Sequence, residues 1–459
     1  MNTTAAACSA LLLATTSATA QDRPNIVVLM ADDLGWADVS FNGGEIATPN
    51  IDALAAEGRT LDRFYVQPQC TPTRASFMTG RYPLRDAMHY GVVLPFSEWG
   101  LPLDTSTLAE LLQDEGYTTA AIGKWHLGHH APQYLPLERG FDHFFGHYLG
   151  SHNYFEHGHA GGYDQHRNGE VTYEPGYATD LFGLEAVRLI DAHDQSDPLF
   201  LYVAFNAPHD PWQSKDSDLR SYQHMDGVRQ KYAGMTTAMD RAIGRITRSL
   251  EDAGMMDNTL TVFFSDNGGP WPGDVTDNGP LRGGKGNTFE GGIRVPAFAV
   301  WPAEIPAGTQ EESLLYVGDL FTTFLSLAGT DDLPTDVDGI DVTDALTGEG
   351  PSGRSTLPII SGPDWFWNAV IDWPWKIVTE INDGDRSNPH RYLFNLEHDP
   401  SETTNLADEH PEILERLSRE LEYWVELAAP SSFTYGDARG TPPEIWGVFE
   451  NRDSRPNNQ

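Results

Sequence analysis

The chain has 459 residues, of which 67 are acidic and 29 are lysine or arginine, so its formal net charge is −38. Hydrophobic residues make up 39%, which is enough to build a buried core and excludes a chain that is disordered throughout. The length allows one large α/β core and a smaller domain. The strong negative charge argues against nucleic acid and against an anionic membrane as partners, because both are bound by basic surfaces.

The first twenty residues predict an export signal. Residues 4–20 read TAAACSALLLATTSATA, a short apolar stretch that ends in an A-x-A cleavage pattern before Gln21. The usual basic start is missing, since no lysine or arginine precedes Arg23. The stretch is too short for a membrane span, and no later run of about 20 apolar residues follows. We therefore expect a periplasmic or secreted protein whose signal peptide is residues 1–20.

Four short apolar runs predict strands that are buried on both faces of a parallel sheet. Helical patterns separate these runs, and the alternation of strand and helix predicts a doubly wound α/β core. The runs are Asn25–Met30, Thr118–Ile122, Leu199–Phe205 and Thr259–Ser265, and the helical patterns include Ile51–Glu57, Leu108–Glu115, Leu181–Ala192 and Ala233–Ala253.

A second region is predicted to begin near Pro351, where glycine, proline and serine mark a boundary. Three short runs and one amphipathic pattern follow, and they predict a small antiparallel sheet with a helix. The runs are Ala369–Asp372, Trp375–Glu380 and Arg391–Asn395, and the helical pattern is Pro411–Leu427. The predicted division is a catalytic domain at 22–350, an α+β subdomain at 351–430 and a polar tail at 431–459.

Acidic and amide side chains follow two of the predicted strands. Asp32 and Asp33 come after the first strand, and Asp266 and Asn267 come after the fourth. Because the carboxyl ends of parallel strands meet at one edge of a sheet, we expect these side chains to lie together. Their oxygens suit Ca²⁺ or Mg²⁺ rather than Zn²⁺, and adjacent carboxylates repel each other unless a cation lies between them. An aspartate pair alone is equally typical of a solvated turn.

Basic side chains near the same edge indicate an anionic substrate. Three carboxylates and one divalent cation leave a charge of −1, so an anion needs further positive groups. Lys124 and His126 follow the second strand, and His209 follows the third. Arg74 and Lys285 are further candidates, although the RGGKG sequence around Lys285 is also typical of a flexible basic loop.

The cysteines leave one candidate nucleophile. Cys8 lies in the predicted signal, so Cys70 has no partner for an internal disulfide. Thr71 and Pro72 suit the N-cap and the first position of a short helix that Gly80 ends. Cys70 would then lie just before a helix N-terminus, where anions are stabilised. A buried core cysteine and a thiolate nucleophile are the alternatives, but a thiol enzyme gains nothing from a hard-cation site beside it.

Together these motifs resemble the type I sulfatases. The CTPTR sequence at Cys70 matches the C-x-P-x-R core of that family, and ASFMTGRYP continues it as that family does. The further motifs occur in the family's order and are DDLG at Asp32, GKWHLG at Gly123, APH at Ala207, SDNGG at Ser265, LRGGKGNTFEGGIRVP at Leu281 and LEHDPSETTNL at Leu396. The resemblance covers about residues 24–427.

The resemblance implies hydrolysis of sulfate esters on an alkaline-phosphatase-like mixed sheet that is flanked by helices and followed by a smaller C-terminal α+β subdomain. In this family a formylglycine-generating enzyme oxidises the cysteine to Cα-formylglycine, and a hydroxyl of the hydrated aldehyde attacks sulfur. The implied ligands of one Ca²⁺ are Asp32, Asp33, Asp266, Asn267 and the formylglycine from Cys70.

The resemblance also implies roles for the basic groups. Arg74 and Lys124 would hold the hydrated aldehyde, and Lys124, His209 and Lys285 would bind the sulfate. Asp266 would act as the base for attack, and His209 or Lys285 would protonate the leaving group. His126 would help the second hydroxyl to release sulfate and restore the aldehyde.

The implied substrate is a sulfated carbohydrate of the carrageenan, ulvan or chondroitin type. The sequences LGSHNY at Leu149 and YAGM at Tyr232 resemble the arylsulfatase B branch, which contains N-acetylgalactosamine-4-sulfatase, and many bacterial relatives act on polysaccharides. A phosphate or phosphonate ester hydrolase of the same superfamily and a catalytically dead glycan-binding protein are the alternatives.

Two local features have more than one interpretation. The histidine-rich segment 147–177 either lines the substrate cleft or forms a surface loop. An aromatic cluster near the second region either stacks on sugar rings or packs in the core of the subdomain. The histidines are His147, His152, His157, His159 and His166, and the aromatic residues are Trp365, Phe366, Trp367, Trp373 and Trp375.

Overall fold

A computed structural model describes residues 23–330, 332–361, 367–381 and 389–430. The predicted signal at 1–20, the predicted tail at 431–459, and Trp365 and Phe366 lie outside the described residues. Among the described helices, none combines the length and the apolar character needed to cross a membrane.

Strands and helices alternate over most of the chain. The strands are β1 Asn25–Ala31, β2 Arg59–Leu61, β3 Phe64–Tyr65, β4 Thr118–Lys124, β5 His143–His147, β6 Gly158–His159, β7 Gly162–Tyr163, β8 His166–Arg167, β9 Glu170–Val171, β10 Leu199–Ala204, β11 Thr259–Ser265, β12 Ala297–Val300, β13 Thr309–Glu311, β14 Leu315–Tyr316, β15 Thr356–Ile360, β16 Trp367–Asp372, β17 Trp375–Glu380 and β18 His390–Asn395. The α-helices are α1 Pro49–Ala56, α2 Cys70–Thr79, α3 Leu108–Asp114, α4 Ala178–Ala192, α5 Asp216–Leu219, α6 Gly227–Asp252, α7 Glu290–Ile293, α8 Asp319–Ala328, α9 Thr343–Thr347 and α10 Pro411–Leu427.

The four strands predicted from the sequence form the centre of a mixed sheet. Across the described residues this sheet has ten strands in the order β13-β2-β12-β11-β1-β10-β4-β5-β8-β9. Strands β11, β1, β10 and β4 are mutually parallel, and β12 runs antiparallel to β11. The predicted α/β core is therefore confirmed, and the carboxyl ends of its four central strands share one edge.

Helices cover both faces of this sheet. Side chains alternate along a strand, so Val28 packs in one apolar cluster with α2, α3 and α8, while Leu29 packs in another with α1, α4 and α6. Both residues are fully or almost fully buried, at 0% and 1% exposure. This double burial explains why the central strands are continuous apolar runs rather than alternating ones.

The C-terminal region forms the predicted antiparallel sheet, in the order β15-β16-β17-β18, and α10 packs against three of its strands. Strand β15 is an addition that the sequence did not predict. Trp367, Trp373 and Trp375 pack against the apolar core, which favours the packing interpretation for these three residues. That core continues from the main sheet into this one, and the boundary near Pro351 stays a prediction.

Candidate active site

The acidic side chains meet at the carboxyl edge of the central sheet. Asp32 and Asp33 follow β1, Asp266 and Asn267 follow β11, and the main chain joins the two turns because Asp266 N donates to Ala31 O over 3.0 Å. The four side chains are at most 1% exposed. Asn267 Nδ2 donates to Asp33 Oδ1 over 2.7 Å. The parallel register of the two strands therefore places the predicted oxygen ligands together, as expected.

This cluster has the donor atoms of a metal site. One potential ligand atom from each of Asp32, Asp33, Cys70 and His209 lies within 4.8 Å of the others. Asn267 Oδ1 is buried and accepts no hydrogen bond from the residues that the structure describes. A buried carbonyl oxygen without a donor is costly. The carboxylate and amide oxygens thus fit a hard divalent cation such as Ca²⁺ or Mg²⁺.

Cys70 is the first residue of helix α2, and this corrects the predicted start of the helix. Gln69, rather than Thr71, is the N-cap, and Thr73 N makes the first helical hydrogen bond, to Gln69 O over 3.2 Å. Pro72 is tolerated at the third helical position because the first N–H groups of a helix have no intrahelical acceptor. The Thr71 hydroxyl donates instead to His126 O over 2.9 Å. It therefore ties the start of α2 to the turn after β4.

The end of the helix is as predicted. Gly80 has a φ of 66° and occupies the C-cap of α2. A Cβ at this position would lie 2.5 Å from the Phe321 ring, so both the left-handed conformation and the close packing require glycine.

Each carboxylate of the cluster is paired with one basic side chain. Lys124 Nζ lies 2.7 Å from Asp32 Oδ2, and Arg74 Nη2 lies 2.8 Å from Asp266 Oδ2. All four of these side chains are fully buried. The structure therefore brings the predicted lysine and arginine into direct contact with the acids.

Lys285 also reaches the cluster, which excludes the interpretation of its segment as an unattached basic loop. Its Nζ lies 2.7 Å from Asp33 Oδ1 and 3.5 Å from Cys70 Sγ. Although burial opposes ionisation, Lys285 and then His209 lower the pKa of Asp33 below its usual range. His209 Nε2 lies 3.6 Å from the same carboxylate, and its side chain is 14% exposed, at the open side of the cluster.

His126 is held as a neutral base. It has a φ of 59°, is 4% exposed, and its Nε2 lies 3.0 Å from Val93 O, which requires the proton on Nε2. Nδ1 has no hydrogen-bond partner among the described residues, so its lone pair is available. Burial and then the charge of Lys124 lower the pKa of His126 well below its usual range. The imidazole therefore accepts a proton at neutral pH without a prior proton loss.

The surroundings of Cys70 do not favour a thiolate. Burial and then the charge of Asp266 raise the pKa of the Cys70 thiol to about 12. Its Sγ lies 3.5 Å from Asp32 Oδ1, and buried cysteines usually have apolar neighbours. The position suits a hydroxyl-bearing group, which forms stronger hydrogen bonds with carboxylate and ammonium groups than a thiol does.

Four of the five histidines of the histidine-rich segment are buried, while His159 is partly buried and other parts of the segment, such as Phe155 and Tyr173, are exposed. His147, His152, His157 and His166 are at most 1% exposed, and the His147 and His152 rings stack with centroids 4.0 Å apart. These buried histidines pack beside the turn after β10, which contains Asn206 and the candidate site residue His209. His152 Nδ1 lies 3.2 Å from Asn206 Nδ2.

Tyr154 from the same segment also binds the turn that contains His209, and the sequence did not predict this contact. Its hydroxyl donates to His209 O over 2.8 Å. The only signal available in the sequence was the aromatic residue within the segment, which does not reveal a partner 55 residues away.

Known proteins are similar to this chain over most of its length. The sulfatase family model matches residues 24–330. Mouse arylsulfatase J is 34% identical to this chain in an alignment 488 positions long, which covers 94% of this chain and 81% of the mouse protein. Human arylsulfatase A is 38% identical over 382 residues, which span 76% of this chain and 72% of the human protein.

Solved structures give the same result. The crystal structure of Ps i-CgsB has a TM-score of 0.83 and 36% identity, and the match covers 90% of this chain and 94% of that one. The same protein in complex with k-i-k-neocarrahexaose gives a TM-score of 0.82 and 35% identity, with the same coverage. The sequence resemblance is thus confirmed, and the chain belongs to the sulfatase family of sulfuric ester hydrolases.

Proposed function

We propose that this sulfatase removes O-sulfate groups from a carrageenan-type oligosaccharide or polysaccharide, with one Ca²⁺ and with Cys70 converted to formylglycine. The observation that carries the proposal is the one-to-one pairing of three buried carboxylates with Lys124, Lys285 and Arg74. These charges cancel, so a bound divalent cation leaves the site with an excess of about two positive charges. An anionic sulfate ester is attracted to such a site.

The carbohydrate class is supported by the likeness to Ps i-CgsB, which has been crystallised with a neocarrahexaose. We further propose that a formylglycine-generating enzyme matures the protein and that the chain is exported before it acts. A polysaccharide is too large to cross a cell membrane unaided, which agrees with export.

The chain's own residues supply binding and proton transfer. When present, the formylglycine would supply the nucleophilic hydroxyl and the cation, held by Asp32, Asp33, Asp266 and Asn267, would polarise the sulfate. Lys124 and Lys285 bind sulfate oxygens, because Lys285 contacts Cys70 Sγ directly and Lys124 pairs with Asp32, which also contacts Cys70 Sγ. Asp266, held by Arg74, accepts the proton of the attacking hydroxyl. His209 and Lys285, whose side chains are 14% and 23% exposed, are the accessible proton donors of the cluster, and His209 protonates the leaving alcohol, with Lys285 as the second donor.

His126 acts after sulfur transfer. Its Nδ1, which has no partner among the described residues, would accept the proton of the second hydroxyl when sulfate is released, and the hydrogen bond from Nε2 to Val93 O keeps that tautomer in place. Because burial lowers its pKa, the imidazole is neutral at neutral pH, and the fixed tautomer leaves the lone pair of Nδ1 free.

A substrate panel tests the proposed activity. We expect the protein, co-expressed with a formylglycine-generating enzyme, to release sulfate from carrageenan oligosaccharides faster than from ulvan or chondroitin oligosaccharides, as measured by ion chromatography. An aryl sulfate and the matching aryl phosphate serve as controls for the reaction. Faster release of phosphate would favour a phosphate ester hydrolase, and release from chondroitin alone would contradict the carrageenan assignment.

Calcium binding is a separate prediction. We expect Ca²⁺ to raise the midpoint of thermal unfolding, because a ligand at a hundred times its dissociation constant adds about 2.7 kcal/mol to the free energy of unfolding. Asp33→Asn should abolish this shift, since it removes a ligand charge from the cluster. The exposed Asp197→Asn is the matched control and should keep the full shift. An unchanged shift in Asp33→Asn would place the ion elsewhere.

A further inference from the structure

A second cluster of charges is buried outside the catalytic centre. Lys376 of β17 is fully buried, and its Nζ lies 2.8 Å from Glu290 Oε1 and 2.8 Å from Glu402 Oε1. Both glutamates are also 0% exposed. Burying three charged groups is costly, and removing one partner from such a group is strongly destabilising. A replacement by apolar residues would hold two surfaces together equally well, so the charged cluster calls for another explanation.

Glu402 binds both ends of one segment of the catalytic region. At one end, the backbone N–H of Glu290 donates to Glu402 Oε2 over 2.7 Å. At the other end, Arg282 Nη1 donates to Glu402 O over 3.1 Å. Gly291 N also donates to Arg282 O over 2.7 Å, which closes the segment into a loop. We call residues 282–290 the lysine loop, because Lys285 lies within it.

Further contacts fix the same two ends. Tyr65 Oη donates to Glu290 Oε2 over 2.8 Å. The guanidinium of Arg282 lies 3.9 Å from the centroid of the Phe289 ring, across the base of the loop. The ends of the lysine loop are therefore held by specific polar contacts. The C-terminal region contributes two of the residues that make them, Lys376 of β17 and Glu402 after β18.

The tip of the loop is held mainly by hydrogen bonds of the main chain. Lys285 N donates to Gly269 O over 2.9 Å, Gly286 N donates to Pro68 O over 2.8 Å, and Asn278 Nδ2 donates to Gly283 O over 3.1 Å. These bonds fix the main chain at Lys285, whose ammonium lies beside Asp33 and Cys70. The position of the whole loop therefore decides where this ammonium lies.

We propose that Lys376 and Glu402 are positioning residues for catalysis: through Glu290 and Arg282 they hold the lysine loop so that Lys285 lies beside the sulfate. This inference rests on the proposed function, since it takes Lys285 as a sulfate-binding group. It assigns a role in the reaction to the C-terminal sheet, which contributes no side chain to the described catalytic cluster. It also explains why a carboxylate is retained at Glu402, because its oxygens accept the hydrogen bond of Glu290 N and contact Lys376, which an apolar side chain could not do.

The test is a double-mutant cycle between Lys376 and Lys285 on a small aryl sulfate. We expect Lys376→Met to lower kcat/KM by at least about tenfold, because small displacements of a binding group are costly in catalysis. In a Lys285→Met background the same change should have no further effect, since there is no ammonium left to misplace. An equal loss in both backgrounds would contradict the proposal, because it would show a general structural effect.

Two more variants keep the test decisive. Leu421→Ala removes apolar contacts of α10 and none of the polar contacts that hold the lysine loop, so it should lower the thermal midpoint and leave kcat/KM unchanged. If Lys376→Met does not fold, Glu402→Gln takes its place in the cycle. It keeps the size of the side chain and weakens the contact with Lys376, and its loss of activity should likewise vanish in the Lys285→Met background.

The outcomes separate this inference from the proposed function. If Lys285→Met retains wild-type activity, the proposed role of Lys285 is wrong, and the positioning role falls with it. If Lys285→Met is impaired while Lys376→Met and Glu402→Gln are as active as the wild type, only the positioning role is wrong.

Discussion

Cys70→Ala is expected to abolish sulfate release, with a loss of about 10⁵-fold or more in kcat, the scale seen when an enzyme loses its nucleophile. The reason is local, because Cys70 Sγ lies among Asp32, Lys285 and the other cluster residues, with no second nucleophile described there. Ion chromatography of sulfate released from an aryl sulfate measures the effect.

The folded structure should survive this change. Cys70 is buried at the start of α2, and alanine fits the helix and removes only one atom. We therefore expect a thermal midpoint in the absence of Ca²⁺ that is similar to that of the wild type, and a smaller Ca²⁺-dependent shift, because one of the candidate ligands is lost. A folded Cys70→Ala protein that keeps more than about a hundredth of the activity would show that another group attacks sulfur.

Replacing the two lysines separately is expected to cost about 10²–10³-fold each in kcat/KM, the usual effect of losing one charged or hydrogen-bonding contact to a transition state. Lys124→Met and Lys285→Met remove the positive charge and keep most of the side-chain volume. Each change also leaves a buried carboxylate, Asp32 or Asp33, without its partner. Lys231→Met changes an exposed lysine on α6 and is the matched control.

The stability of the two variants should differ. Lys124 is fully buried with Asp32, and breaking such a pair costs about 3–5 kcal/mol in the free energy of unfolding. The Lys285 side chain is 23% exposed, so water partly replaces it beside Asp33, and we expect a smaller loss. Urea unfolding compares the free energies of unfolding of the two variants.

The activity of the two variants gives the outcome that would contradict their proposed role. If both variants bind and cleave substrate as the Lys231→Met control does, the sulfate is not held between these ammonium groups.

The sequence predicted the catalytic edge because local signals determine it. The apolar runs that became β1 and β11 are long enough to identify, and Asp32, Asp33, Asp266 and Asn267 follow them directly. The parallel pairing of those strands then places the side chains together. Helix α10 was predicted with its observed bounds, because its apolar stripe is continuous over Pro411–Leu427.

Other features were wrong or missed because they depend on distant contacts. The helix at Cys70 starts two residues before the predicted first helical position, since the Thr71 hydroxyl binds His126 O instead of capping the helix. The strands β2 and β13, at one end of the sheet, have only three residues each and exist through pairing across more than 200 positions. The contact of Lys376 with Glu290 joins residues 86 positions apart, and neither residue has a local pattern that reveals the other.

The central claim is that sulfate esters are cleaved by a group made from Cys70, and its most direct test compares activity with the extent of conversion. Preparations with different formylglycine contents are obtained by varying the level of the formylglycine-generating enzyme, and mass spectrometry of the peptide that contains position 70 gives the converted fraction. The account predicts a rate of sulfate release that is proportional to that fraction and extrapolates to zero. An equal rate in fully converted and unconverted protein would contradict it.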